Sequence, residues 1–259
     1  MKHVINLAMV AAICMTMVSC MSVSFGNANV DKTPTQVTEL NKVTALQPFD
    51  EVDIANSFKV IYEQGTDHSA RIEASEEAIK QMTVYVKDHE LRIRSAVKNP
   101  TVKFNDVKIY VTSPDIKSIE IAGSGMFAAS NKINAANDLD IDIAGSGKVL
   151  LAEVTCKDSD IEIAGSGSIE VGNINAMDVH AKIAGSGDIN LATMSCNNFH
   201  IEIAGSGDVN CDNITAEDVH TEIAGSGNVN LKGLVKNNTK DIAGSGKVNI
   251  VNIAPDISE

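Results

Sequence analysis

The tetrapeptide Ala-Gly-Ser-Gly occurs seven times, beginning at Ala122, Ala144, Ala164, Ala184, Ala204, Ala224 and Ala243, with steps of 22, 20, 20, 20, 20 and 19 residues. A period this regular confines the chain to a solenoid, because each copy is too small to bury an apolar face except against its neighbours. The copies hold fourteen of the 18 glycines. Glycine is therefore concentrated in an ordered array and not spread through flexible linkers.

Aligning the copies on their alanine reveals the strand pattern. Five residues on stand Phe127, Val149, Ile169, Ile189, Val209, Val229 and Val248, and seven on stand Ala129, Leu151, Val171, Leu191, Cys211, Leu231 and Ile250. In the regular copies Val154, Ile174, Met194 and Ile214 follow, then Cys156, Ala176, Cys196 and Ala216. Each copy closes on Ile161, Ala181, Ile201 or Thr221 and then Ile163, Ile183, Ile203 or Ile223. Within each segment apolar residues alternate with polar ones, the period of a strand with one buried face. Between segments the spacing slips by three or more, which requires a corner. The pattern predicts three short strands per copy, coiled into a parallel β-helix whose ~20-residue rungs stack at ~4.8 Å. Parallel crossovers favour a right-handed coil. The leucine and asparagine signature of leucine-rich repeats is absent. Aromatic residues are only 3% of the chain, with no Trp, so the interior must be aliphatic.

The glycines Gly123, Gly125, Gly145, Gly147, Gly165, Gly167, Gly185, Gly187, Gly205, Gly207, Gly225, Gly227, Gly244 and Gly246 are assigned to the corners. Stacked tight corners call for backbone angles that a Cβ forbids. The intervening serines, Ser124 through Ser245, are expected to form a hydroxyl ladder. A phosphate-cradling glycine loop would need a helix N-terminus after it; a strand such as Asp188-Ile189-Asn190-Leu191 follows instead. A calcium-binding glycine repeat has a nine-residue period and a regular Asp, and neither occurs here.

Ahead of the array, Val52-Asp53-Ile54, Phe58 to Tyr62, Ala70 to Ala74, Thr83 to Val86, Leu91 to Arg94 and Val107 to Val111 read as further strands. One short helix interrupts them, capped by Ser75, begun by Glu76 and Glu77 and running to about Gln81. At the extreme N-terminus Lys2 precedes an apolar run from Val4 to Val18, ending in Met17-Val18-Ser19-Cys20. This resembles a bacterial lipoprotein signal, which implies cleavage after residue 19 and lipidation of Cys20. Residue 21 is Met and not Asp, so outer-membrane anchoring in the cell envelope is expected. Residues 20–46 read as a flexible tether, residues 47–259 as the folded domain, and 122–253 as its regular repeats.

At this point the chain resembles a known family. The Gly-Ser-Gly rungs with continuations such as Gly-Ser-Gly-Asp-Ile-Asn, the segment from Phe49-Asp50-Glu51-Val52 to Tyr62-Glu63-Gln64-Gly65, and Tyr110-Val111-Thr112-Ser113-Pro114-Asp115-Ile116 are similar to the putative auto-transporter adhesin head GIN domain family. The resemblance covers roughly residues 47–254. It implies a β-helical fold and an adhesive role, and it brings no catalytic motif.

The formal net charge is −13, from 34 acids against 21 bases. Such a surface repels polyanions, which argues against nucleic-acid partners. Cys156 and Cys196 share one inward column two rungs apart, beyond the reach of a disulfide. They read as buried thiols, while a Cys196–Cys211 bond across a corner stays open. His180, His200 and His220 are spaced by 20 residues and should stack outward on consecutive rungs. Glu202 and Glu222 lie two residues further on, and imidazoles beside carboxylates are a candidate transition-metal site. Glu120, Asp142, Glu162, Glu202 and Glu222 form an outward acidic column, interrupted by Lys182. Paired acids on a β-helix also occur in carbohydrate-active enzymes, but the aromatic platforms of a sugar groove are missing and the three arginines, Arg71, Arg92 and Arg94, precede the repeats. The expectation is a lipid-anchored, non-enzymatic binding module without a cofactor, touching the membrane through its lipid and a protein or glycan through its surface. A polysaccharide enzyme, or an assembly protein that self-associates through its last rung, are the alternatives.

Overall fold

A computed structural model describes residues 36–252. The expected signal segment 1–19, Cys20, the first part of the expected tether and residues 253–259 of the expected domain lie outside the described residues. The described residues form eighteen strands in one continuous sheet, with one short helix and one 3-10 turn, Phe104–Asp106. The helix α1, Glu76–Ile79, begins where the sequence places it. Ser75 takes an extended conformation and its hydroxyl accepts the Ala78 N–H at 3.1 Å.

The solenoid rises by parallel stacking. Strand β2 (Glu51–Asn56) lies between β6 (Glu90–Ser95) and β8 (Ser118–Gly123), and β3 (Lys59–Gln64) lies between β7 (Lys108–Ser113) and β9 (Met126–Asn134). Above them β8, β10 (Leu139–Gly145), β12 (Asp158–Gly165) and β14 (Asp178–Gly185) stack on one wall. Strands β9, β11 (Lys148–Thr155) and β13 (Ser168–Asn175) stack on the adjoining walls. Every alanine of the repeat pairs with its counterpart, for example Ala144 with Ala164 and Ala204 with Ala224. The parallel β-solenoid expected from the period is the observed fold.

The three separate strands expected in each copy are not what forms, because inter-rung pairing continues through corners that the sequence pattern reads as breaks. Lower rungs contain two strands each, whereas β15 (Asp188–Gly205), β16 (Asp208–Gly225) and β17 (Asn228–Gly244) each run as one continuous strand around a whole rung. Inter-rung pairing persists through the second corner, where Ser195 and Cys196 face Thr215 and Ala216. At the Gly-Ser-Gly corner the backbone requires glycine. Gly205 has φ +139°, and a Cβ there would sit 2.1 Å from the carbonyl oxygen of Gly185 in the rung below. Seven such corners keep the exposed serines in file; Ser124 donates its N–H to the Asn56 carbonyl at 3.0 Å, and the six above it donate to a glycine carbonyl of the rung beneath, as Ser206 does to Gly185 at 2.8 Å.

The two irregular steps are absorbed by bulges. The 22-residue step places its extra residues beside Leu151/Glu153 and between Asn134 and Leu139. The 19-residue step is taken up between Cys211 and Ile214, opposite Gly233 at φ +137°. The inward columns are buried, including all of Ile121, Ile143, Ile163, Ile183, Ile203 and Ile223. Ile242, next in that file, is 38% exposed because it stands in the terminal rung.

An eighth, disguised corner begins the stack. Ala55-Asn56-Ser57-Phe58 occupies the place of the repeated motif, with Asn56 at φ +88° paired to Gly123. Asn tolerates the left-handed region better than other non-glycine residues, so the first corner keeps its shape without the first glycine. The N-terminal end is closed by an antiparallel layer in which β5 (Met82–Lys87) pairs with β6, β4 (Ser69–Glu73) with β7, and β1 (Thr44–Ala45) with β4. The sequence reading sets residues 20–46 outside the fold; the structure seats 36–46 on it. Val37 is buried and its N–H reaches the Val84 carbonyl at 3.0 Å, and bridges join Gln36 to Tyr85 and Leu40 to Ile72. A sparse apolar pattern hid this packing, because single residues such as Val37 anchor the segment.

Candidate binding face

The outward side of β14, β15, β16 and β17 carries three parallel files of polar side chains. Because the rungs pair in exact register, residues 20 apart stand directly above one another. The first file is Asp178, Asn198, Asp218 and Asn237. Its amides donate to the carboxylates below, Asn198 to Asp178 at 2.6 Å and Asn237 to Asp218 at 2.9 Å. The middle file is His180, His200, His220 and Thr239, and the third is Lys182, Glu202, Glu222 and Asp241. The first two files, with Lys182 and Glu202 of the third, line an open depression of about 420 Å³ floored by Phe199 and Val219.

The histidines stack as the spacing predicts. His200 and His220 lie 4.9 Å apart with planes 19° apart, and His180 and His200 are 5.7 Å apart and tilted by 46°. Each upper histidine is tied sideways to its own glutamate, His200 Nε2 to Glu202 at 2.8 Å and His220 Nε2 to Glu222 at 3.0 Å. His220 Nδ1 also meets the Thr239 hydroxyl at 2.6 Å. Lys182 turns away to Glu162 at 3.0 Å. Among the described residues no group of three His, Cys, Asp or Glu side chains is placed to hold a metal ion. The structure therefore brings His180, His200, His220, Glu202 and Glu222 onto one face, but it arranges them as side-by-side pairs and not as a convergent ligand set.

The sequence reading missed the Asp–Asn file. Its signal was present in the same 20-residue register that exposed the histidines, since Asp178, Asn198 and Asp218 each stand two residues before a histidine. Related side-chain ladders run along the corner, where Asn228 Nδ2 donates to Asp208 at 3.0 Å and Asn210 and Asn230 continue an amide file from Asn190.

Below this face the same sheet becomes acidic. The file Asp53, Glu120, Asp142 and Glu162 adjoins Glu51, Asp140 and Asp160. Burial, followed by repulsion from Glu162 and Glu120, raises the Asp142 carboxyl to about 7. Glu120 is raised by burial and by Asp53, and Asp140 by burial and by Asp160. Arg94 partly neutralises the bottom of the file through an ion pair with Asp53.

The three cysteines among the described residues, Cys156, Cys196 and Cys211, are free and buried. Burial raises the thiols of Cys156 and Cys211 to about 11 and that of Cys196 to about 12. They are packing residues, and the Cys196–Cys211 bond left open by the sequence is not formed.

The profile of the family described as "Putative auto-transporter adhesin, head GIN domain" matches residues 48–211 and 183–257. The chain belongs to this family. The GIN-family match spans both the N-terminal layer and the repeats, as the residue patterns at Phe49 and Tyr110 imply. No curated protein shows significant similarity to the chain. Among solved structures, a putative adhesin of Bacteroides fragilis is similar with a TM-score of 0.71 at 22% identity, covering 85% of this chain and 98% of that one. A putative adhesin of Parabacteroides distasonis matches with a TM-score of 0.69 at 20% identity, covering 85% and 98%. A protein of the same organism, named a putative lipid binding protein, matches at 0.66 and 24% identity, covering 84% and 96%. At these identities the likeness establishes the shared solenoid.

Proposed function

We propose that this GIN-family chain is a lipid-anchored, non-enzymatic binding module of the cell envelope, held to the outer membrane through Cys20. Its ligand is a protein or glycan that meets the file of His180, His200 and His220. The single observation that carries this reading is the rigid alignment of that file with its Asp–Asn and Lys–Glu neighbours. Donors and acceptors repeat at the ~4.8 Å rung spacing on a wall that cannot rearrange without breaking inter-rung bonds. A preorganised polar surface loses little entropy on binding. Acidic, amide and imidazole groups are suited to hydrogen-bond hydroxyls and backbone amides. The family name, with its adhesin description, supports the same direction.

The test has two parts. Protease shaving of intact cells reports whether the solenoid faces outward. Binding of the purified protein to glycan arrays and to immobilised host-matrix proteins is then compared with a His180→Ala/His200→Ala/His220→Ala variant. Loss of binding in a variant that melts like the parent supports the reading. Retained binding moves the site off this face, and release of reducing sugar from a polysaccharide substrate would establish an enzyme instead.

A further inference from the structure

The two ends of the solenoid are built differently. The N-terminal end is closed by the antiparallel layer of β1, β4 and β5. At the other end, β18 (Lys247–Asn252) lies over the first part of β17, with Lys247 above Asn228 and Ile250 above Leu231. Among the described residues no strand pairs with the outer edge of β18 or with that of β17 from Asn237 to Gly244. An open edge of N–H and C=O groups is a template for a further strand.

Three properties mark this edge. First, it is apolar in places. Of the six large apolar side chains that are exposed among the described residues, Leu234, Ile242 and Val251 belong to this terminal turn. Val248 and Ile250 continue the inward files of Val229 and Leu231 and are only half-buried. Second, it is basic in an acidic protein. Residues 228–252 carry Lys232, Lys236, Lys240 and Lys247 against Asp241 alone, while the whole chain has a net charge of −13. Third, its inner side already shows which charge it accepts. The rung beneath, β16, carries Asp208, Asp212, Glu217, Asp218 and Glu222 and no lysine or arginine. Lys232 meets Asp212 at 3.6 Å and Lys236 pairs with Glu217. Lys240 and Lys247 form no ion pair among the described residues.

We propose that the open C-terminal edge captures an extended acidic polypeptide segment of a partner, which adds to the solenoid as one more rung. Backbone pairing supplies the affinity, and the side-chain files supply the selection. Register defines the pattern wanted: an acid over Lys247, then apolar, polar and apolar residues over Val248, Asn249 and Ile250. The chain's own Asp208-Val209-Asn210-Cys211 has that pattern. A second copy meets the requirement poorly, since two basic edges repel and the opposite end is covered by antiparallel strands. The capture site uses the end of the rod; it adjoins the lateral histidine face at Asn237, Thr239 and Asp241 but draws on none of the three histidines.

The test uses a fluorescein-labelled synthetic peptide copying residues 208–225, with Cys211→Leu to prevent oxidation, and the purified full chain. Anisotropy should show saturable binding that weakens as salt rises from about 50 to about 500 mM. A Lys240→Glu/Lys247→Glu variant should bind at least about tenfold more weakly, and a peptide whose five acids are replaced by Asn and Gln should lose as much against the unaltered protein. The second arm keeps the test decisive if the double variant misfolds. No binding at peptide concentrations on the order of 0.5 mM overturns the proposal. So does affinity indifferent to both charge changes, or sedimentation showing that a second copy occupies the edge.

Discussion

The imidazole rings of His200 and His220 lie one over the other, 4.9 Å between centroids, and each points its Nε2 at a separate glutamate. Stacked rings with parallel carboxylate partners keep their nitrogens side by side. A zinc ion needs three or four ligand atoms converging at about 2.0–2.3 Å. Isothermal titration of the apo protein with Zn²⁺ should therefore give no saturable heat, and His200→Ala should leave the trace unchanged. A site with a Kd tighter than about 10 μM, lost in His200→Ala, would show that the face rearranges around the ion.

The Gly-Ser-Gly corner separates backbone demand from side-chain role. A Cβ on Gly205 would stand 2.1 Å from the Gly185 carbonyl oxygen in a backbone conformation that L residues rarely adopt. Gly205→Ala should cost about 2–4 kcal/mol or prevent folding. Ser206, one residue on, is exposed, and Ser206→Ala should change stability by less than about 0.5 kcal/mol. Urea titrations of the two variants check the contrast. Equal effects would mean that the serine file, and not the corner geometry, holds the rungs.

Legibility followed repetition. The inward files, the stacked histidines and the Ser75 cap could be read because period, alternation and capping are local properties of the chain. The corner at Asn56 escaped because it keeps only the alanine and serine of the motif, and its glycine role is filled by a residue that tolerates positive φ at +88°. Residues 36–46 escaped for a related reason, since pairing such as Leu40 with Ile72 depends on partners far along the chain. At the candidate face, register disclosed which residues align. It did not disclose that Nε2 of His200 would turn to Glu202, because a side-chain torsion leaves no trace in spacing.

The buried thiols offer a probe of the closed interior. Burial raises Cys156 and Cys211 to about 11 and Cys196 to about 12, and the thiolate is the reactive form. Iodoacetamide at about pH 8 should leave these three unmodified in the native protein and alkylate all three in denaturant. Peptide mapping by mass spectrometry separates them from other cysteines of the chain. Rapid native labelling of Cys211 would mean that the upper rungs open far more often than a continuous inter-rung ladder allows.

The acidic file makes stability depend on pH through Asp142. Burial and the neighbouring Glu162 and Glu120 raise its folded carboxyl from 3.8 to about 7. Between those two values the folded state binds more protons than the unfolded state, so stability falls as pH rises across this window and levels off above about 7. A shift of this size, discounted for partial solvent screening, corresponds to about 1–2 kcal/mol. Urea unfolding should thus show a more stable protein at about pH 5 than at about pH 8. Asp142→Asn should gain stability at the higher pH and flatten the profile. A residual slope should remain from Glu120 and Asp140, which are shifted in the same direction. If the variant instead loses stability at the higher pH, the ionised Asp142 is held by a favourable partner and not merely tolerated among like charges.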